Sequence, residues 1–349
     1  MKRSQRTLAA TTAATAALAA FALLIGLALR TDDPNSPGDP QVAVPGSVAP
    51  LTGLPVDNPA VLERPAVAIK VSDVRQAHPQ VGVAHADIVF AQPIGEAYTR
   101  LAVVFHSDLP ESVGPVRSVR PADAALLGPL SPVFANTMGA GWVVEYTDSV
   151  ADWDNLGTSR MSGTGAYVLD PARPRPDHVF ARPAILLDAS DRAEPPAPYF
   201  AYAGGAEPTS AEQAAGPGTS IEVQYGSAWV VGWTYDAASG RYSRTQPWGP
   251  HVMAGGTQIS ATNVVVIQVE SVVDKLVDGH GAAVPVLQLV GGSGPFTAFT
   301  GGFSVTGTWT KDGANDPFEF RTDSATELAL SPGNTWVELP ALSVTVTAR

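Results

Sequence analysis

Two arginines three residues apart, Arg117 and Arg120, stand in the stretch ESVGPVRSVRP (111–121). Gly114-Pro115 precedes them and Pro121 follows. Guanidinium groups at that spacing can grip a phosphate or a carboxylate with paired N–H donors. Arg120 precedes a proline, so its backbone is pushed out of the α region and it should cap a helix that begins at Pro121. The free N–H groups of a helix start favour anions in the same place. The competing reading is internal pairing with acids such as Glu111 or Asp123. Arg100, at the start of the preceding strand, is expected to be structural.

A second cluster lies in PARPRPDHVFARP (171–183), where Arg173, Arg175 and His178 fall in a segment without helix or strand periodicity. His251, in GPHV (249–252), is its candidate counterpart across a cleft. The candidate ligand-binding set is therefore Arg117, Arg120, Arg175, His178 and His251. For each histidine the alternative is a side chain bonded to loop carbonyls. The pairs His85/Asp87 and His106/Asp108 have strand spacing but abut turns, and EYTDSVADWDNLG (145–157) lacks the glycine and terminal glutamate of a calcium loop. No metal or other cofactor is expected.

Composition narrows the chemistry. The chain has 349 residues, a net charge of −12 and no cysteine. Its first thirty residues hold four cations and no acid, so the remaining 17 basic and 33 acidic residues leave −16. A body that acidic does not attract nucleic acid through its general field, and an anion site must be local. Without cysteine there are no disulfides, thiol nucleophiles or lipidated cysteine. G-x-S-x-G, H-E-x-x-H, S-x-x-K and Walker loops are all absent.

The apolar run Leu8–Leu29 follows three cations and, as a helix of about 33 Å, spans a bilayer core. The basic flank places its N-terminus inside and exports the rest, as a single-pass cell-membrane protein with an extracytoplasmic body. Secretion after signal cleavage is the alternative. Residues 1–30 form the anchor and 31–49 a Pro/Gly-rich tether.

The elements that must position these residues follow from periodicity. AVAIKV (66–71), ADIVFAQ (86–92) and RLAVVFHS (100–107) are short β-branched runs bounded by turns, hence strands. PADAALLGPL (121–130) has helix chemistry, while VFANTMG (133–139) and WVVEYTD (142–148) look like further strands. Residues 50–192 thus form a mixed α/β domain, and 193–219, rich in Pro, Ala and Gly, a linker. Residues 220–349 alternate strand and turn in the manner of an antiparallel sandwich or open barrel. The fold class is α+β. Five tryptophans of the last part (Trp229, Trp233, Trp248, Trp309 and Trp336) suit core packing, with sugar stacking as the alternative.

With these blocks in hand the chain resembles the YerB-like family of exported bacterial lipoproteins, whose biochemical function is not established. The resemblance rests on PLTGLPV (50–56), RPAVAIKVSD (64–73), HADIVFAQPIGEAYTRLAVVFHS (85–107) and VGPVRSVRP (113–121). In the second half it rests on WTYDAASGRYSR (233–244), GPHV (249–252), ATNVVV (261–266), FSVTGTWTK (303–311) and LSPGNTWVEL (330–339). It implies a mixed N-terminal domain and a β-rich C-terminal one. Two departures stand out. The lipid-attachment cysteine is missing, and Glu96-Ala97-Tyr98 replaces the usual paired glycines before Thr-Arg. The expected role is a cell-envelope binding module for an anionic polymer or a membrane protein partner. The alternative is an envelope hydrolase or transferase in which His178 or His251 works with Glu96 or Asp177.

Overall fold

A computed structural model describes residues 47–95, 98–226, 228–277 and 283–349, which belong to one compact unit. The expected membrane helix lies outside the described residues. Among the described residues, no helix is long and apolar enough to cross a membrane.

The first half supplies strands β1 (Val67–Ser72), β2 (Ile88–Ile94), β3 (Tyr98–Phe105), β4 (Val133–Ala135) and β5 (Asp154–Asn155). Its main helices are α1 (Pro121–Leu127) and α2 (Gly141–Val150). The second half adds β6 (Ser220–Gly226), β7 (Trp229–Asp236), β8 (Arg241–Gln246), β9 (Asn263–Ile267), β10 (Ser271–Val277) and β11 (Ala283–Leu287). It ends with β12 (Gly292–Thr300), β13 (Phe303–Lys311), β14 (Glu319–Thr322), β15 (Thr335–Glu338) and β16 (Val346–Ala348).

Both halves share one sheet, in the order β14-β13-β12-β9-β15-β2-β3-β1-β4-β5. The join is parallel, with Ile88 opposite Thr335 and Ala91 opposite Glu338. The second half is therefore not wholly antiparallel, because β15 also runs parallel to β9. The intervening chain from β9 to β15 is long enough for the crossover that parallel pairing demands. A smaller antiparallel sheet of β8, β7, β6 and β16 packs on one face, and α1 and α2 lie on the other.

Side-chain alternation assigns the layers. Ala68, Phe90, Ala102 and Val104 meet Ala122, Leu126 and Val143 on the helix side. Ile69, Val71, Leu101 and Val103 meet Ile221, Val223, Trp233 and Tyr242 on the sheet side. Both faces of β1 are covered, so all six of its residues are buried. β6, covered on one face, alternates buried with exposed. Trp233, Trp309 and Trp336 are core residues.

WVVEYTD is helical, contrary to the strand expected for it. Its Val143 and Thr147 are four apart and both buried, and that packing overrides the β preference of adjacent valines. The segment 193–219 packs closely: Tyr199 and Phe200 are buried, and Thr209 caps a short helix, Ser210–Ala214, by accepting from the Glu212 N–H at 3.2 Å.

Candidate functional site

Ser72, Arg100 and Gln92 lie side by side on β1, β3 and β2, in register on the helix face. Two positions along β1, Lys70 shares that face. Asp123 of α1 reaches down to this row. Its carboxylate accepts from Lys70 Nζ at 2.6 Å, from Gln92 Nε2 at 2.6 Å and from the Arg120 backbone N–H at 2.7 Å. The last bond caps α1 as the pre-proline position requires, with Pro121 in its first turn. Burial lowers the Lys70 ammonium to about 8 despite Asp123 beside it.

Arg117 and Arg120 lead into this helix along an extended segment laid beside β1. The Arg117 N–H donates to the Lys70 carbonyl at 2.8 Å, and the Arg117 carbonyl accepts from Thr137 N–H at 3.0 Å. Arg100, Arg117 and Arg120 together line a cleft of about 540 Å³. Ser118, Thr137 and Gly139 add polar lining, and Ile94, Met138, Ala140, Val284 and Pro285 give apolar walls. Met138 sits at φ 67°, held in the left-handed region by its N–H donating to Asn136 Oδ1 at 2.7 Å. Helix α2 starts at the cleft wall, and its cap, Ala140, has no side chain that can accept.

The three guanidinium groups differ in how they are held. Arg120 donates to the Val119 carbonyl at 3.0 Å. Arg117 faces Asp177, with Nε 3.5 Å from Oδ1 and both atoms buried without a hydrogen-bond partner. Arg100 is 4% exposed, its Nε has no hydrogen-bond partner, and it joins none of the ion pairs among the described residues. Burial above all, then repulsion from Arg120 and Arg117, drives its pKa well below the usual arginine range. Arg100, expected to be structural, also lines the cleft, and Asp123 and Asp177 only partly offset the burial of its charge.

Of the other candidates, Arg175 is exposed and next to the cleft-lining Pro176. Arg173 turns elsewhere, donating to the carbonyls of Ala77 and Pro79. His178, half-buried with its Nδ1 unpartnered, does not line the cleft. His251 does not face it across a groove either. It is fully buried between the two sheets. Burial first, then Arg244, holds its pKa well below the usual histidine range.

His251 belongs to a second polar cluster. Arg244 of β8 reaches Asp73 at 3.3 Å and Glu338 at 3.2 Å, all fully buried, with its guanidinium 4.6 Å from the Trp336 ring. Asp73 also accepts from Thr99 at 2.6 Å and Gln246 at 2.7 Å, and Glu338 from Tyr225 at 2.7 Å and Trp233 at 3.1 Å. Burial works to raise the Asp73 carboxyl, but Arg244 and the neighbouring histidines outweigh it and hold it low. The cluster ties β1 and β3 to β6, β7, β8 and β15, so it staples one half of the chain to the other.

Ligand atoms of Asp73, His78 and His251 come within 4.8 Å of one another, close enough to hold a cation. Arg244, which can only donate, occupies His251 Nδ1 at 3.0 Å, so His251 Nε2 carries the proton and gives it to Gln80 Oε1 at 2.7 Å. A metal at either ring nitrogen would have to displace the contact made there. The same contacts leave His251 no free nitrogen for acid–base work, and Asp177 is turned to Arg117. Glu96 lies outside the described residues. His85 pairs instead with Asp108 at 2.6 Å on the surface. In the acidic loop, Asp152 meets Arg192 at 2.5 Å and Asp154 meets Arg160 at 2.6 Å.

The fold and site define a β-rich body in which two sequence halves share a sheet, stapled by a buried ion cluster and opened on the helix side by an arginine-lined cleft. Residues 51–196 match the family model "Protein of unknown function (DUF3048) N-terminal domain", and residues 221–337 match its C-terminal domain. The chain belongs to this YerB-like family. It is 39% identical over 94 residues to "Putative lipoprotein YerB" of Bacillus subtilis (strain 168), a stretch covering 27% of either chain. The crystal structure of the YerB protein from Bacillus subtilis superimposes with a TM-score of 0.73 at 22% identity, covering 86% of this chain and 99% of that one. That likeness establishes the fold.

Proposed function

We propose that this protein is a membrane-tethered, extracytoplasmic binding module whose cleft takes an anionic group of a cell-envelope polymer. One observation carries the reading: Arg100, 4% exposed and without a hydrogen-bond partner for its Nε, sits against a cleft also lined by Arg117 and Arg120. A buried cation that joins no ion pair among the described residues, with Asp123 and Asp177 only partly offsetting its burial, is costly to hold, and such groups concentrate where a ligand completes them. The exposed Arg175, next in sequence to the cleft-lining Pro176, would extend the positive surface. The extracytoplasmic setting is supported by the basic-then-apolar N-terminus and by the name of the Bacillus relative, which calls that protein a lipoprotein. The module's second partner would be the membrane or a protein within it.

The test is co-sedimentation of the full chain with isolated envelope polymers at low and high salt. Binding that weakens with salt and is lost in Arg100→Gln and Arg117→Gln is the expected result. Unchanged binding by both variants contradicts it.

A further inference from the structure

We infer that the anion is a phosphate ester rather than a carboxylate, with its organic part lying along the apolar wall of the same cleft. This rests on the anion-binding reading above. The argument begins with donor geometry. A carboxylate presents two oxygens and a single negative charge, whereas a phosphate monoester presents three terminal oxygens and up to two charges. Here Arg100 keeps a buried Nε without a hydrogen-bond partner, Arg117 stands 3.5 Å from Asp177 without a hydrogen bond to it, and Arg120 lines the same space. The hydroxyls of Ser118 and Thr137, 3.5 Å apart, border it too, in a contact long enough to be given up. The ten-residue helix α2 begins at Gly141 behind Ala140, a cap without an accepting side chain, and the positive end of its dipole also favours an anion. Several donors converging on one region match the multiple terminal oxygens and the higher charge of a phosphate.

Size and lining argue for an ester. The cleft holds about 540 Å³, within the range of small-molecule sites and far more than one inorganic anion fills. Beyond the arginines its lining changes character to Ile94, Met138, Ala140, Val284 and Pro285, of which Val284 and Pro285 come from β11 in the second half. A ligand with a phosphate at one end and a less polar body at the other meets both surfaces.

Isothermal titration of the full chain in detergent with phenyl phosphate, benzoate and inorganic phosphate separates the components. Phenyl phosphate should bind at least tenfold more tightly than either of the others. Arg100→Lys, which keeps the charge but loses the fork, should weaken phenyl phosphate at least tenfold, and Arg117→Lys, at a half-buried position, should act in the same direction. Benzoate binding as tightly as phenyl phosphate, with both weakened by Arg100→Lys, overturns the phosphate inference and leaves the anion cleft standing. Inorganic phosphate matching phenyl phosphate overturns the role of the apolar wall. No binding of any probe overturns the anion cleft itself.

Discussion

Replacing Arg100 with methionine should make the ligand-free protein more stable. The wild-type side chain is 4% exposed, its Nε donates to nothing among the described residues, and burial with repulsion from Arg120 and Arg117 outweighs the attraction of Asp123 and Asp177. Its stem lies on the helix face of β3 between Ser72 and Gln92, where methionine fills a similar length without a charge. Exchanging buried ionic groups for apolar ones of similar volume gains about 1–4 kcal/mol in favourable cases, and the partial access of the cleft to solvent argues for about 1–2 kcal/mol here. At roughly 2–4 °C per kcal/mol for a chain of this order of size, the midpoint should rise by about 2–8 °C. Urea unfolding followed by tryptophan fluorescence, with an unchanged m-value, measures it directly. Inorganic phosphate or an organic phosphate should then stabilise the wild type and leave the variant unmoved, since a ligand stabilises only the state that binds it. A loss of about 1 kcal/mol or more in Arg100→Met would refute the reasoning, because an arginine that holds the fold together is destabilising to remove.

The buried staple behaves in the opposite way. Arg244→Met strips Asp73 and Glu338 of their shared counter-charge and should cost about 3–5 kcal/mol in the same urea experiment. Acid should destabilise the protein through histidines buried neutral. His106 falls from 6.5 to about 4, chiefly by burial, and His251 shifts in the same direction. The unfolded chain then takes up protons first, so this stability is complete above about pH 6.5 and lost towards pH 4, and His106→Gln should flatten the stability profile between those limits. Lys70, lowered to about 8 from 10.5, gives stability that rises with pH across that interval, and Lys70→Met should remove the rise.

Local rules made some of the site legible. Arg120 before Pro121, with Asp123 three residues on, read as a helix start because pre-proline sterics and capping act within four residues. The place of Arg100 in the cleft was not legible, because it depends on the register that sets it beside Ser72 and Gln92 and on the arrival of Arg117 and Arg120 from a later segment. None of that is local. His251 drew attention as a loop histidine in GPHV, but its partners Arg244, Gln80 and Asp73 come from three separate elements, two of them about 170 residues away. The antiparallel expectation for residues 220–349 failed at β15, whose TWVE reads as any half-buried strand, while its parallel seat between β9 and β2 is decided by packing. The sequence Thr209-Ser-Ala-Glu212 did carry a capping-box signal inside the presumed linker, overlooked beneath the Pro, Ala and Gly around it.

The most direct measurement of the central claim is an anomalous diffraction map from a crystal soaked in tungstate, a tetrahedral oxyanion that stands in for phosphate. A tungsten peak within hydrogen-bond reach of the Arg100 and Arg117 guanidinium groups is the predicted result, absent from Arg100→Met crystals. A cleft without a peak, while tungstate sits only on exposed surface cations, would contradict it.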